Sequence, residues 1–248
     1  MAHHTGGAAV NPPLAFRLLG KLPLLSRIPA WLIGIGFRPD LTGICPGIIG
    51  HEGVQRFMSR SDNIYKVPGN LPIPADDGGC DHLSGLQMPS VALRSTAGRI
   101  VDLAGLRGRT VVYCYPRTGH PDHEPLKGWN EIPGARGCTP QSCAFRDHYR
   151  ELQSLGAQVF GLSTQDTADQ REAVDRLHLP FELLSDEKLE FVDALRLPTF
   201  RVEPITLIKR LTLIIADGVI EKVFYPVFPP DKNAEQVIQW LSGNLRPS

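Results

Sequence analysis

Two cysteines five positions apart in GCTPQSCAFRD (residues 137–147) are the residues of this chain best placed to do chemistry. Cys138 immediately precedes a Thr-Pro pair that reads as a helix start, with Thr139 as cap and Pro140 in the first helical position. A sulfur there lies beside unpaired backbone N–H groups at the positive end of the helix dipole, which favours the thiolate, the reactive form. Magnitudes decide whether that suffices. Taking a thiol from about 8.5 to about 6 requires roughly 3.4 kcal/mol of differential stabilisation. A helix terminus supplies about 0.3–1 kcal/mol and rarely about 2. The dipole falls short, and a nearby cation is required. Cys143 lies in the same helix, about 140° round and about 7.5 Å along, so the Cα atoms are roughly 8.6 Å apart. That exceeds the roughly 7 Å limit for bridging. A Cys138–Cys143 disulfide therefore forms only if the first turn unwinds, which defines a two-state element: helical when reduced, locally unfolded when oxidised. In isolation the pair reads equally well as two small core residues, the reading given to Cys45, Cys80 and Cys114.

Other chemistries lack their signatures. Zinc sites pair Cys-x2-4-Cys with a second pair downstream. Here only His148 lies at a plausible distance, and it reads as a surface residue. His120 and His123 in HPDH read as a solvated loop, and His3 and His4 as a solvated tail. No metal is expected. There is no G-x-S-x-G elbow, no His-Glu-x-x-His, and no G-x-G-x-x-G after a strand, so neither hydrolase chemistry nor a dinucleotide is indicated.

The elements that must position the cysteines follow from hydrophobic period and turn residues. STAGRIVDLAGLRGR reads as a hairpin around Ala97-Gly98. TVVYCYP (110–116), AQVFGLST (157–164) and PFELLSD (180–186) read as buried strands. Residues 139–155, closed by Gly156, form one helix; TADQREAVDRLHL (167–179) and KLEFVDALRL (188–197) form two more. HPDHEPLKGWNEIPGARG (120–137) is rich in turn formers and must be a loop. LIKRLTLIIADG and VIEKVFYP are strands joined at Asp217-Gly218, and NAEQVIQWLSGNL (233–245) closes with an amphipathic helix. The order β-α-β-α-β-α-β-β-α implies an α/β sandwich with parallel strands and one antiparallel hairpin at the end. Upstream, residues 1–13 read as a disordered start, 14–37 as two short helices interrupted at Pro23 and Pro29, and 38–80 as an extended segment crossing the surface of something else. The organisation is thus a 1–80 extension and an 81–248 domain, with Leu14 to Phe37 packing on that domain or on a second subunit.

Composition bounds the rest. The 248 residues carry 26 basic and 26 acidic side chains, and this balance argues against gripping nucleic acid or an anionic membrane. There are 24 Gly and 22 Pro, above the roughly 7% and 5% of average usage, which implies many turns. The most apolar window has Ile28 to Phe37 as its longest uncharged run, where a membrane span needs about 20 residues. Five unevenly spaced cysteines, with no secretory leader pattern, suit a reducing cytoplasm better than a disulfide scaffold.

GCTPQSCAFRDHYREL after a strand ending Tyr-Pro, followed by GAQVFGLST, resembles the peroxiredoxins, specifically the Q-type (bacterioferritin comigratory protein) subfamily, over about residues 85–245. The resemblance implies a thioredoxin-like three-layer α/β/α sandwich with a mixed central sheet. It implies a thiol peroxidase acting on hydrogen peroxide or an organic hydroperoxide, with Cys138 as peroxidatic and Cys143 as resolving cysteine. Arg210, in KRLTLIIADG, matches the family's buried arginine and would be the required cation; alternatively it pairs with a carboxylate on an edge strand. A thioredoxin-like dithiol would reduce the Cys138–Cys143 disulfide in a monomer or homodimer, with no organic cofactor.

The chain departs from the family's Pro-x-x-x-Thr-x-x-Cys loop. Ala135 stands three residues before Cys138, and Pro116 lies 22 positions upstream instead of seven. Thr118 folding back, or Arg136 and Thr139 beside Pro116, are the candidates for holding the peroxide. The lengthened loop also leaves two other readings open. One is a non-catalytic redox sensor or adaptor; the other is a recruited enzyme for a bulky small molecule, with residues 117–137 as a pocket wall.

Overall fold

The computed structural model of the chain describes residues 63–121, 125–202 and 204–245. The expectations for the 1–13 start, the helices within 14–37 and Cys45 lie outside the described residues, as does His123. Nine strands are described: β1 (Leu93–Ser95), β2 (Ile100–Val101), β3 (Arg109–Cys114), β4 (Ala157–Ser163), β5 (Leu183–Ser185), β6 (Thr199–Val202), β7 (Ile205–Ile208), β8 (Leu211–Ala216) and β9 (Val219–Phe224). The helices are α1 (Cys138–Asp147), α2 (Tyr149–Ser154), α3 (Thr167–Leu177), α4 (Glu190–Leu195) and α5 (Asn233–Gly243).

A strand covered on both faces reads as an unbroken apolar run. Every residue of β3 and of β8 is buried, and these two strands sit side by side in a seven-stranded sheet of order β2-β1-β5-β4-β3-β8-β9. β3, β4 and β5 run parallel. The sheet is more mixed than the expected parallel set with one hairpin, because β8 pairs antiparallel with β3, and β1 antiparallel with β5. The hairpins at Gly98 and Asp217-Gly218 form as expected.

Alternation of side chains along the strands divides the core in two. Val112, Cys114, Leu162, Leu184 and Leu213 face α4 and its Phe191, Val192 and Leu195. Val111, Tyr113, Val159, Leu183 and Ile214 face Phe145 of α1, Leu152 of α2, Leu177 of α3 and Val237 of α5. The result is three layers, helix over sheet over helices, as the resemblance implied. Cys80 and Cys114 are buried in the first core, as read, and burial pushes the Cys80 thiol up to about 12.

Two expected elements change shape. LIKRLTLIIADG is not one strand: the ladder breaks at Lys209-Arg210, where the Lys209 N–H donates to Pro198 O at 2.9 Å. β7 then pairs with β6 in a separate two-stranded sheet, a hairpin that sequence period did not show. The 139–155 helix is divided at His148 (φ −96°, ψ 8°) into α1 and α2. α4 is shorter than 188–197, with Leu189 as its N-cap and Arg196 (φ 50°) as its C-cap; the Asp186 carboxylate accepts from the N–H groups of Phe191 (3.0 Å) and Val192 (2.9 Å) in its first turn.

The packing that holds α1 to the sheet runs through Tyr113. Its ring stacks on Phe145 with centroids 4.4 Å apart, and its hydroxyl donates to Ser142 Oγ at 3.2 Å. Gly161 on β4 leaves room for that ring. A Cβ at Gly161 would lie 2.7 Å from Tyr113 Oη and 2.5 Å from Leu183 Cδ2. Gly161→Ala should therefore cost at least about 1–3 kcal/mol by overpacking, read as a lower denaturant midpoint with the m value unchanged.

Candidate active site

Cys138 is the first residue of α1, two positions earlier than the sequence suggested. Gly137 precedes it in the left-handed region at φ +106°, where a side chain is strained, and a Cβ there would run into Pro230. The helix thus starts on a backbone turn with no side-chain cap, and Thr139 occupies the second helical position, not the cap. Pro140 is third, still among the positions whose N–H has no intrahelical acceptor.

Arg210 follows the break between β7 and β8, which takes it out of strand register. Its Nη2 lies 3.2 Å from Cys138 Sγ. The same nitrogen donates to the carbonyls of Gly134 (3.2 Å), Ala135 (3.1 Å) and Arg136 (3.1 Å). Nη1 donates to Gln141 Oε1. Both Cys138 and Arg210 are only 3% exposed. None of these partners is a carboxylate, and β8 is an interior strand, so the edge-strand ion pair is excluded. The Cys138 sulfur is thus a direct neighbour of a buried guanidinium that has no carboxylate partner.

Gln141 extends the site. Its Nε2 donates to Asn233 Oδ1 at 3.0 Å, and Thr212 Oγ1 donates to the same oxygen at 2.7 Å. Thr212, Asn233, Gln141 and Arg210 are therefore one buried chain of hydrogen bonds joining β8, α5 and α1 behind the sulfur. Sequence reasoning missed Gln141, Asn233 and Thr212. Gln141 carried a usable signal, since three positions after Cys138 is the same helix face; Asn233 and Thr212 carried none.

The remaining candidates are dispersed. The Thr118 hydroxyl and N–H both donate to Gln165 Oε1, at 3.1 and 2.8 Å, so its proton is committed there and not to a substrate. Arg136 contributes its carbonyl to Arg210, while its Nη1 donates to Asn130 Oδ1 at 2.8 Å on the loop itself. Thr139 is buried in the first turn of α1, and Pro116 is buried just beyond β3. Among the described residues no group of His, Cys, Asp and Glu could hold a metal ion, and no helix is long and apolar enough to cross a membrane.

Cys138 and Cys143 are free thiols on one unbroken helix. Cys143 is half-buried, and that burial pushes its thiol up from the ordinary value. With the protonated form favoured in the fold, Cys143 reaches thiolate only as pH rises beyond the usual thiol range. At pH 9 its alkylation by iodoacetamide, followed by peptide mass spectrometry, should be several-fold slower in the native reduced protein than in urea.

Residues 83–238 match the Redoxin family. The chain is 32% identical over 184 residues to the chloroplastic peroxiredoxin Q of Oryza sativa subsp. japonica, covering 71% of this chain and 77% of that one. It is 31% identical over 157 residues to the chloroplastic peroxiredoxin Q of Populus jackii, covering 62% and 66%. Among solved structures, peroxidoxin BcpB from Mycobacterium tuberculosis superposes with a TM-score of 0.55 at 22% identity, covering 67% of this chain and all of that one. The Xanthomonas campestris bacterioferritin comigratory protein gives 0.50 at 17%, covering 71% and 100%. With the fold shared and the identity spread over most of both chains, this chain belongs to the redoxin family and, within it, to the Q-type peroxiredoxins, which are thiol-dependent peroxidases.

Proposed function

We propose that Cys138 is the sulfur that reacts with peroxide, that Arg210 is its cationic partner, and that Cys143 resolves the product. The observation that carries this is the 3.2 Å contact between Arg210 Nη2 and Cys138 Sγ at a helix start. The thiolate attacks the distal oxygen of hydrogen peroxide or an organic hydroperoxide. An S–O bond forms, the O–O bond breaks, and the departing oxygen takes a proton to leave as water or alcohol. Arg210 and the free N–H groups of the first helical turn stabilise the negative charge as it passes from sulfur to the leaving oxygen. Cys138 is only 3% exposed, so the sulfur is largely shielded from solvent.

Cys143 then attacks the Cys138 sulfenic acid, giving the disulfide and water. A thioredoxin-like dithiol returns both cysteines to thiols and is itself oxidised. The cycle needs a compartment that supplies such a dithiol. We take it to be the cytoplasm, although the plant relatives are chloroplastic by name. The catalytic domain is 81–248, acting as a monomer or homodimer, with 1–80 as an extension to it. A sensor without turnover is not favoured, since family membership brings peroxidase chemistry with it.

The assay is peroxide consumption with dithiothreitol or with thioredoxin. Cys138→Ser should consume none, and a rate equal to wild type would overturn the assignment. Cys143→Ser should lose the intramolecular disulfide by mass spectrometry and lose thioredoxin-driven turnover, while dithiothreitol still supports consumption. Arg210→Lys, which keeps the charge but loses the planar fork, should lower kcat/KM about 10²-fold, the scale of removing one preorganised donor.

A further inference from the structure

The backbone that delivers Arg210 to the sulfur is braced by residues outside the family domain. The Redoxin match begins at residue 83, yet the residues before it are built into the fold. Cys80 is buried in the first core beside Leu83, and His82 Nε2 donates to Leu195 O at 2.9 Å. With the chain anchored there, the Asp77 carboxylate reaches two distant elements. Its Oδ2 accepts from Lys209 Nζ at 2.5 Å, and its Oδ1 accepts from Tyr225 Oη, just beyond β9, at 2.6 Å. Oδ1 also accepts from the Gly79 N–H at 3.1 Å, which curls the segment round the carboxylate. The Lys209 ammonium, and after it the Tyr225 hydroxyl, hold the Asp77 carboxyl well below the usual carboxylate range, so it stays charged at neutral pH.

Lys209 immediately precedes Arg210 and stands where the ladder breaks. Its backbone N–H donates to Pro198 O at 2.9 Å while its side chain donates to Asp77. The same segment packs on Pro198, since a Cβ at Gly79 would lie 3.0 Å from Pro198 Cβ. Both partners of the bond that holds the break are thus braced by residues 77–79. The 3.2 Å contact between Arg210 Nη2 and Cys138 Sγ starts from this backbone. Such placement matters, because a misplacement of about 1 Å can cost about 10²-fold in rate.

We propose that Asp77 is a positioning residue for the peroxidase step, fixing through Lys209 the backbone from which Arg210 reaches Cys138. The inference rests on the peroxidase reading above for its effect on rate. It carries the working site into the segment that precedes the family domain. The ion pair is partly exposed, with 47% of the Asp77 and 34% of the Lys209 side chain accessible. Pairs of that kind add little to global stability. Asp77 therefore acts by placement.

The test compares Asp77→Asn and Lys209→Met, singly and together, with wild type. Each single variant should keep a denaturant midpoint near wild type and lose about tenfold in kcat/KM for peroxide, within the ~10²-fold scale of misplacement. The double variant should lose no more than either single one, because both remove the same tie. Asp77→Asn leaves a positive charge unpaired and Lys209→Met a negative one, so a purely electrostatic action on the sulfur would move the two rates in opposite directions. A second readout needs no turnover. The Arg210 Nε–H is buried, and its ¹⁵N side-chain signal, assigned by its loss in Arg210→Lys, should exchange with solvent about tenfold faster in either variant. Opposite rate changes, additive losses, unchanged Arg210 exchange, or a lowered midpoint that marks a merely structural role would each overturn the proposal. Faster exchange in the variants of a protein that consumed no peroxide would uphold the positioning and sink only the peroxidase assignment.

Discussion

A positive charge held almost wholly out of water, with no carboxylate to answer it, is the constraint around which the rest of this structure is arranged. Arg210 is surrounded by carbonyl oxygens, the Gln141 side chain and one sulfur. Carbonyls and the Gln141 amide accept from its Nη groups without neutralising its charge, so the field of the guanidinium is left to act on Cys138. A carboxylate in place of Gln141 would share that field. The neutral amide instead fixes the orientation of the guanidinium, and Asn233 and Thr212 fix the amide in turn. The helix terminus adds its smaller contribution from the other side. The sulfur therefore sits between two positive sources, as the arithmetic of the isolated helix start required.

Holding an arginine there shapes the backbone. Were residues 207–218 one continuous strand, Arg210 would take its place in the ladder. The break at Lys209-Arg210 frees it, at the cost of transferring β7 to a small sheet of its own with β6. That hairpin in turn presents Phe200 to Trp129 of the long loop. The loop supplies the Gly134, Ala135 and Arg136 carbonyls that the guanidinium requires. The loop's extra length and the split strand are thus parts of one arrangement, and neither is an independent ornament on the fold.

What was legible in the sequence is what local period and punctuation encode. The buried runs of β3, β4 and β8, the Asp217-Gly218 hairpin and the cysteine helix all follow from neighbours in the chain. The cation was inferred as a need from the energetics of the helix start, and resemblance supplied its position. What stayed hidden depends on partners far apart: Arg210 and Gln141 are 69 residues apart, and Gln141 and Asn233 are 92 apart. Thr139 looked like a cap because Ser and Thr cap many helices, but Gly137 reaches a backbone conformation that lets the helix begin two residues sooner. Thr118 looked available because sequence cannot show that Gln165 already occupies its hydroxyl.

The start of α1 is held by contacts of two kinds, and they respond differently to chemistry. Tyr113 grips the later part of the helix through Phe145 and Ser142, independently of the state of the sulfur. The first turn has no side-chain cap, a feature worth about 1 kcal/mol where present, and is fastened in part by Arg210 through the sulfur, Gln141 and the loop carbonyls, and in part by Asn233 through Gln141. On the proposed chemistry, oxidation turns an anionic sulfur into a neutral sulfenic acid and so removes the strongest of those attractions. The turn that must open for Cys143 to reach Cys138 is then the turn whose fastening has just been weakened. Cys143, kept protonated by its own burial while the helix is intact, gains solvent and its ordinary acidity as that turn unwinds. On that chemistry, resolution would be gated by the same charge that drives the first step.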